Sequence, residues 1–327
     1  MKKVLALVLA LAMVLAATSA MAVTLTYAEV NPESSIVGQT GAYFKQRVEE
    51  LSNGEIEIDA RFSGVLGTEA QIIEGIVSGD DTVDVMRISV YQLNSYGCPI
   101  AGLVNLPYTF VSREHYWNMV ESDVINYFKD ELENSGLGLH YIAFGEEGFR
   151  HFFLKSGVEY TDVNSLKGLK IRVSDDPIAQ GYVGDLGANP TIVSFSELYS
   201  ALQTGVVDGA EQPIANYQSN AFPEVAPTLV LDGHTLGAVA LVITDSGLAK
   251  LTDEQKEIIY QAGADTQAYN KQISTEMENA VLEELKASGV NVIEVTDKDA
   301  YVAAVQPTVS ANMAGLEDIY AAIVACQ

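Results

Sequence analysis

The sequence predicts an α/β protein built as two similar lobes, and three observations carry that expectation. Short β-type runs alternate with amphipathic helical segments, the pattern of mostly parallel sheets covered by helices. A helix ending at Gly79 leads into Val83-Asp84, and a helix ending at Gly205 leads into Val207-Asp208. This echo favours two like units over one long sheet. Helical spacing then runs from Asp253 to Ser288, about 54 Å if unbroken, which is longer than one lobe. A length of 327 residues fits two domains at roughly 150 residues each.

The elements follow in order. Residues 1–22 read as an export address: Lys2 and Lys3, the apolar run Val4–Ala17, then Ala20-Met21-Ala22 as the small-x-small cleavage site. The run is 14 residues, short of the roughly 20 a spanning helix needs, and no Cys follows it for lipid attachment. An exported soluble chain starting near Val23 is expected. Val23–Val30 reads as a strand, and Ile36–Leu51 as a helix stopped by Asn53-Gly54. Ile56, Ile58, Ala60 and Phe62 alternate as a second strand. Thr68 with Gln71 forms a capping box opening a helix that closes at Gly79, and Val83–Ile88 is a third strand. Leu169–Val173 is a further strand, Asp176-Pro177 starts a helix, and Ser194 with Glu197 caps the helix ending at Gly205. Thr252 and Gln255 cap the long helix, Gly289 stops it, and Gly263 is the place where it would kink.

Composition excludes several functions. Apolar residues at 48% supply a sizeable core, so disorder is excluded. Eighteen basic against 44 acidic residues give a net charge of −26. That leaves no basic face for nucleic acid or for an anionic lipid surface. Repulsion of this kind also favours a monomer. Cys98 and Cys326 are either a disulfide, which export permits, or two buried thiols. Without a local His they make no metal site, and no cofactor is expected. Nucleophile elbow, zincin, Walker and dinucleotide motifs are missing, and His115, His140, His151 and His234 lack ligand spacing. This argues against an enzyme. The arginines remain. Arg172 falls at the end of its strand, Arg150 opens His151-Phe152-Phe153, and Arg87 lies within Val83–Ile88. Ligands of open α/β sheets bind beyond strand carboxyl ends, and a guanidinium fork suits a carboxylate. A surface ion pair is the plainer alternative.

From Ser165 to Val173 (Ser-Leu-Lys-Gly-Leu-Lys-Ile-Arg-Val) the chain resembles the substrate-binding proteins of TRAP transporters, the DctP-like family. The resemblance continues through Leu186–Thr191, Phe195–Gly205 and Val207–Pro213, and upstream through Gly64–Glu69 and Leu106-Pro107-Tyr108. It covers essentially the whole chain after residue 22. It implies a two-lobed periplasmic-binding-protein-like α/β fold with the long helix spanning both lobes. Lobe I would comprise 23–147 plus 238–277, and lobe II 148–237 plus 278–327. It implies that Arg172 clamps a ligand carboxylate with Arg150 assisting, beside Glu211 and Gln212. Phe195 would line the pocket, with Asn216 and Tyr217 on the next helix. Glu29 and Asn31 would stand near the ligand's distal end.

Two departures bear on the ligand. Arg87 replaces a neutral residue of many relatives, in a pattern resembling sugar-acid binders, and Arg87, Ser89, Gln92 and Glu29 suit a polyhydroxylated acid. Gln212 replaces the usual Asn and reaches one methylene further. The expected function is capture of an organic acid anion, a uronate or aldonate, for delivery to TRAP membrane subunits in the periplasm. C4-dicarboxylates are the alternative ligand. An exported hydrolase or lyase using Glu146 and Glu147, and a sensor module, are the rival functions.

Overall fold

The computed structural model describes residues 22–296 and 298–327. The export signal expected over residues 1–22 therefore lies outside the described residues, save for Ala22. The first lobe opens with β1 (Val23–Ala28), α1 (Ile36–Leu51), β2 (Ile56–Arg61), α2 (Glu69–Val77) and β3 (Val85–Ser89). After short helical turns come α3 (Arg113–Val120), α4 (Ile125–Asn134) and the 16-residue strand β4 (Leu139–Leu154). The second lobe adds β5 (Lys170–Val173), α5 (Pro177–Asp185), β6 (Asn189–Ile192), α6 (Leu198–Thr204), β7 (Gly209–Pro213) and α7 (Ile214–Ser219). The 17-residue strand β8 (Thr228–Thr244) then returns, followed by α8 (Asp253–Ser288), β9 (Asn291–Glu294) and three short helices to Val324.

Strand order is β2-β1-β3-β8-β4-β7-β5-β6, with β9 beside the start of β8. The long strands β4 and β8 pair antiparallel along their length and belong to both lobes. On one side β3 and β1 run parallel and β3 meets β8 antiparallel; on the other β7 and β5 run parallel and β7 meets β4 antiparallel. The two ends of the sheet thus repeat one arrangement. The Val-Asp echo of the sequence marks equivalent places. Asp84, before β3, accepts from Thr26 N at 2.9 Å and pairs with Lys250 at 2.8 Å. Asp208, before β7, accepts from Lys170 N at 3.0 Å and pairs with Lys155 at 2.5 Å. In both lobes the Asp ties the incoming strand to its parallel neighbour.

The β4–β8 register shifts between Glu146 and Phe149, where Gly148 takes φ +105°. A bulge bends a strand and re-aims its side chains. Here it falls near the middle of β4. The long helix braces that bulge. Asn270 of α8 accepts from Glu146 N at 2.8 Å and donates back to Glu146 O at 3.1 Å, a two-point clasp on the backbone. Tyr269 stacks on Tyr43 of α1 at 4.1 Å, and Glu284 takes Gln218 at the end of α7 at 2.8 Å, so α8 contacts both lobes.

Most sequence expectations hold, with physical reasons. Thr68 and Thr252 each form the full capping box with Gln71 and Gln255. Asp176 caps α5 by accepting from Ile178 N and Ala179 N. The box expected at Ser194 and Glu197 does not form. The Ser194 hydroxyl donates to Glu197 at 2.6 Å instead, and a 3-10 turn, Phe195–Glu197, precedes α6. Cys98 and Cys326 are free thiols, Cys98 buried and Cys326 half-buried. Burial, helped by Glu131, pushes the Cys98 thiol up to about 11. No described helix is long and apolar enough to cross a membrane.

The long helix runs unbroken over 36 residues, as its spacing predicts, and the alternative of a kink at Gly263 gives way to close packing. A Cβ there would lie 2.7 Å from the Ile142 carbonyl oxygen of β4. Alanine in an exposed helix gains about 1 kcal/mol over glycine. Gly263→Ala should instead destabilise by roughly 1–3 kcal/mol, the cost of overpacking. Urea unfolding monitored by circular dichroism checks the sign, and an unchanged or higher midpoint would refute the contact's role.

Candidate functional site

A cavity of about 370 Å³ opens where β3, the bulge of β4, β5, β7 and the start of α7 converge. Among its walls are Arg172, Arg150, Gln212, Phe195, Asn216, Arg87, Asn31 and Ser89. Eight of the ten residues expected from the sequence are thus brought together. Glu29 and Glu211 are not lining residues; their carboxylates sit behind the wall, on Arg87 and Arg150. Tyr217 faces away, its hydroxyl donating to Ala226 O at 2.7 Å inside the second lobe.

Three guanidinium groups are buried here, each 3–4% exposed. Arg87 rises from β3, whose five residues are all buried. Glu29 takes its Nε and Nη2 at 3.0 and 2.6 Å, and Glu69, first residue of α2, takes Nη1 at 2.6 Å. Arg150 follows the β4 bulge. Glu211 of β7 grips its Nε and, at 3.0 Å, its Nη2, while Glu147 lies 3.2 Å from Nη1. Arg172 differs. From β5 its Nε donates to Val193 O at 2.8 Å, and the Phe195 ring centre lies 6.0 Å from the guanidinium carbon. Among the described residues no carboxylate lies within ion-pair reach of it, and its two terminal nitrogens have no acceptor. Burial first, and Arg150 nearby, lower its proton affinity below the ordinary guanidinium value, against Glu211 and Tyr91. It stays charged, since guanidinium does not deprotonate in proteins.

Sequence reasoning missed Glu69, Tyr91, Ser174 and the mouth residue Asp175 as lining residues. The Thr68 cap signalled that Glu69 opens a helix, but not that the helix end abuts β3. Glu147, weighed with Glu146 as a catalytic pair, lines the cavity and accepts from Asn216 at 2.8 Å. Burial raises its pKa while Arg87 and Arg150 hold it down. Glu146 is spent elsewhere, on Arg113 and on Gly148 N at 2.7 Å.

Behind Arg150 the charges continue inward. Burial would raise the Glu211 carboxyl, but Arg150 and His234 hold it at about 2. His234 stands between carboxylates, Nδ1 2.7 Å from Asp232 and Nε2 3.4 Å from Glu211, the latter in ion-pair range but off the hydrogen-bond axis. Burial opposes its charge, yet Asp232 and Glu211 raise it to about 9. His151 is the opposite case. Burial lowers it to about 4, and its Nδ1 accepts from Gly233 N at 2.9 Å, as a neutral ring must.

Two lobes around an arginine-lined cavity, with long strands passing between them, define a solute-binding protein of the periplasmic-binding type. Residues 27–315 match the model of the bacterial extracellular solute-binding proteins, family 7 (DctP), and the chain belongs to that family. A solute-binding protein of Roseobacter denitrificans is 31% identical over 83% of this chain and 81% of its own. A TRAP periplasmic solute-binding protein of Xanthobacter autotrophicus, solved with bound β-D-galacturonate, superposes with a TM-score of 0.86 at 27% identity, covering 93% of this chain and 100% of that one. The sugar-acid-binding protein of Advenella mimigardefordensis, solved with galactonate, gives 0.87 at 26% identity over 93% and 97%. The protein is a TRAP solute-binding receptor of an extracytoplasmic family, not an enzyme.

The raised His234 pKa has a direct consequence for stability. The ion pairs stabilise the fold fully below the unfolded value near 6.5, and that contribution is lost as pH rises through about 9. A shift of this size amounts to on the order of 3 kcal/mol. Denaturation midpoints should therefore fall between pH 6.5 and 9.5, and His234→Gln should be less stable at pH 6.5 with that slope flattened. A slope unaltered by the substitution would show that other groups produce it.

Proposed function

We propose that this receptor captures a sugar acid, a uronate or aldonate, and delivers it to TRAP membrane subunits. The observation that carries the reading is Arg172, a buried guanidinium whose terminal nitrogens have no acceptor among the described residues. A buried charge demands a partner, and a ligand carboxylate gives the bidentate one. Arg150 assists from β4, and Phe195 packs beside the guanidinium. Ser89, Gln92, Gln212 and Asn216 supply polar groups for hydroxyls. The related structures with galacturonate and galactonate support the same ligand class.

Capture proceeds by closure of lobe I (23–147 plus 238–277) on lobe II (148–237 plus 278–327), a hinge motion selected by ligand. The β4 register shift at Glu146–Phe149 and Gly237 opposite it support hinges at those joins. The chain is exported, cleaved near Ala22, and acts in the periplasm as a monomer.

A thermal-shift screen tests the ligand class. Glucuronate, galacturonate, gluconate or galactonate near a hundred times Kd should stabilise by about 2.7 kcal/mol. Stabilisation by succinate or malate alone would replace the class with C4-dicarboxylates.

Calorimetric titration of Arg172 variants tests the clamp. Truncating one partner of a buried charge pair costs roughly 2–5 kcal/mol, so Arg172→Ala should bring a micromolar site close to the detection limit. Arg172→Lys keeps the charge without the planar fork and should also bind far more weakly. Arg150→Ala should lose less. Folding should survive in Arg172→Ala, because no protein carboxylate is orphaned. Near-wild-type affinity of Arg172→Ala would remove it from the site.

A further inference from the structure

The ionic groups of the cavity are sorted by sign. Arg172 on β5 and Arg87 on β3 stand four places apart in the strand order. The Arg172 end offers a guanidinium with no carboxylate of its own. The Arg87 end is the reverse. One guanidinium there answers two carboxylates, Glu29 at 2.6 Å and Glu69 at 2.6 Å. Glu147 adds a third, which feels both Arg87 and Arg150, 3.2 Å from the latter's Nη1, as well as Glu69. Arg87 is therefore no free cation for a second ligand carboxylate.

Two amides reinforce the asymmetry. Asn31 Nδ2 donates to Glu29 at 3.0 Å, and Asn216 Nδ2 donates to Glu147 at 2.8 Å. A carboxylate only accepts, so each amide must turn its nitrogen toward it and leave its oxygen over. Both leftover Oδ1 atoms are buried with no donor among the described residues. Both side chains line the cavity, at 3% and 1% exposure. Buried acceptors in that state carry their desolvation penalty until a donor arrives. A hydroxyl is such a donor; a carboxylate is not.

We infer that Glu69 and Glu147, with Asn31 and Asn216, set specificity outside the Arg172 clamp, accepting hydroxyls of a singly charged acid and rejecting a second carboxylate. The ligand class is a polyhydroxy monocarboxylate, and aldarates, charged at both ends, are excluded. The inference rests on the sugar-acid reading above.

Gluconate and glucarate differ only in a terminal CH2OH against a carboxylate, and glucuronate supplies the cyclic monoacid. Calorimetric titration of the three at pH 7.5 should give glucarate at least about 100-fold weaker than the better monoacid, since like-charge juxtaposition is strongly unfavourable. Glu147→Gln should narrow that ratio roughly tenfold by gaining glucarate, not merely by losing monoacid. Glu69→Gln is the second variant, with thermal melts checking that each folds. Glucarate bound within a few-fold of the monoacid by the unaltered protein overturns the inference and leaves the sugar-acid reading standing. Unchanged ratios in both variants overturn the roles of Glu69 and Glu147. Binding of malate or succinate with none of the hydroxy acids overturns both readings together.

Discussion

Moving a charge out of water is costly, and this protein holds three guanidinium groups almost out of water around one cavity. Much of the local sequence answers that cost. Arg87 is matched by Glu29 and Glu69, and Arg150 by Glu211 and Glu147. Glu211 in turn leans on His234, and His234 on Asp232. The compensation is built in for two cations and withheld from the third. Arg172 has one hydrogen bond, from Nε to a backbone carbonyl, and otherwise faces the cavity. That imbalance makes the site receptive to an anion in a chain whose net charge is −26. Long-range steering works against such a ligand, so the attraction must come from a local field in a low-dielectric cleft.

The scaffold explains how these groups meet. Arg87, Arg150 and Arg172 lie on three different strands, β3, β4 and β5, and Arg150 falls between two register shifts of β4 against β8. The two long strands carry the sheet through both lobes, and the shift at Glu146–Phe149 turns Arg150 and Glu147 toward the cavity. Gly148, at φ +105°, takes a backbone conformation that a side chain would strain. Asn270 pins the residue before that turn from the long helix, with both donor and acceptor of its amide used.

Much of the fold was legible because its signals are local. A capping box concerns four consecutive residues, so Thr68–Gln71 and Thr252–Gln255 predict helix starts without reference to the rest of the chain. The Val-Asp echo likewise marked two strands that occupy equivalent places in the sheet. Ser194–Glu197 shows the limit. The same residue types side by side preferred a direct hydroxyl–carboxylate bond to a backbone cap. Arg172 stood out by its place at a strand end, and the resemblance to a family placed most of the remaining wall.

Partnership across the chain was not legible. Glu29 and Arg87 are 58 positions apart, Arg150 and Glu211 are 61, and which carboxylate neutralises which guanidinium depends on strand order and register. From sequence Glu29 and Glu211 read as ligand contacts, whereas packing places them one layer behind, where they set the charge of the arginines in front. Gly263 left a kink open as the alternative to an unbroken helix, because a lone glycine weakens a helix; the opposing strand, unseen in the sequence, needs the space instead. By itself the sequence determined the α/β class, the two similar units, the long helix and the three arginines, all consequences of short-range pattern and composition. Only the tertiary structure decided which arginine remains without a carboxylate, because electrostatic pairing depends on distance in space and not on separation along the chain.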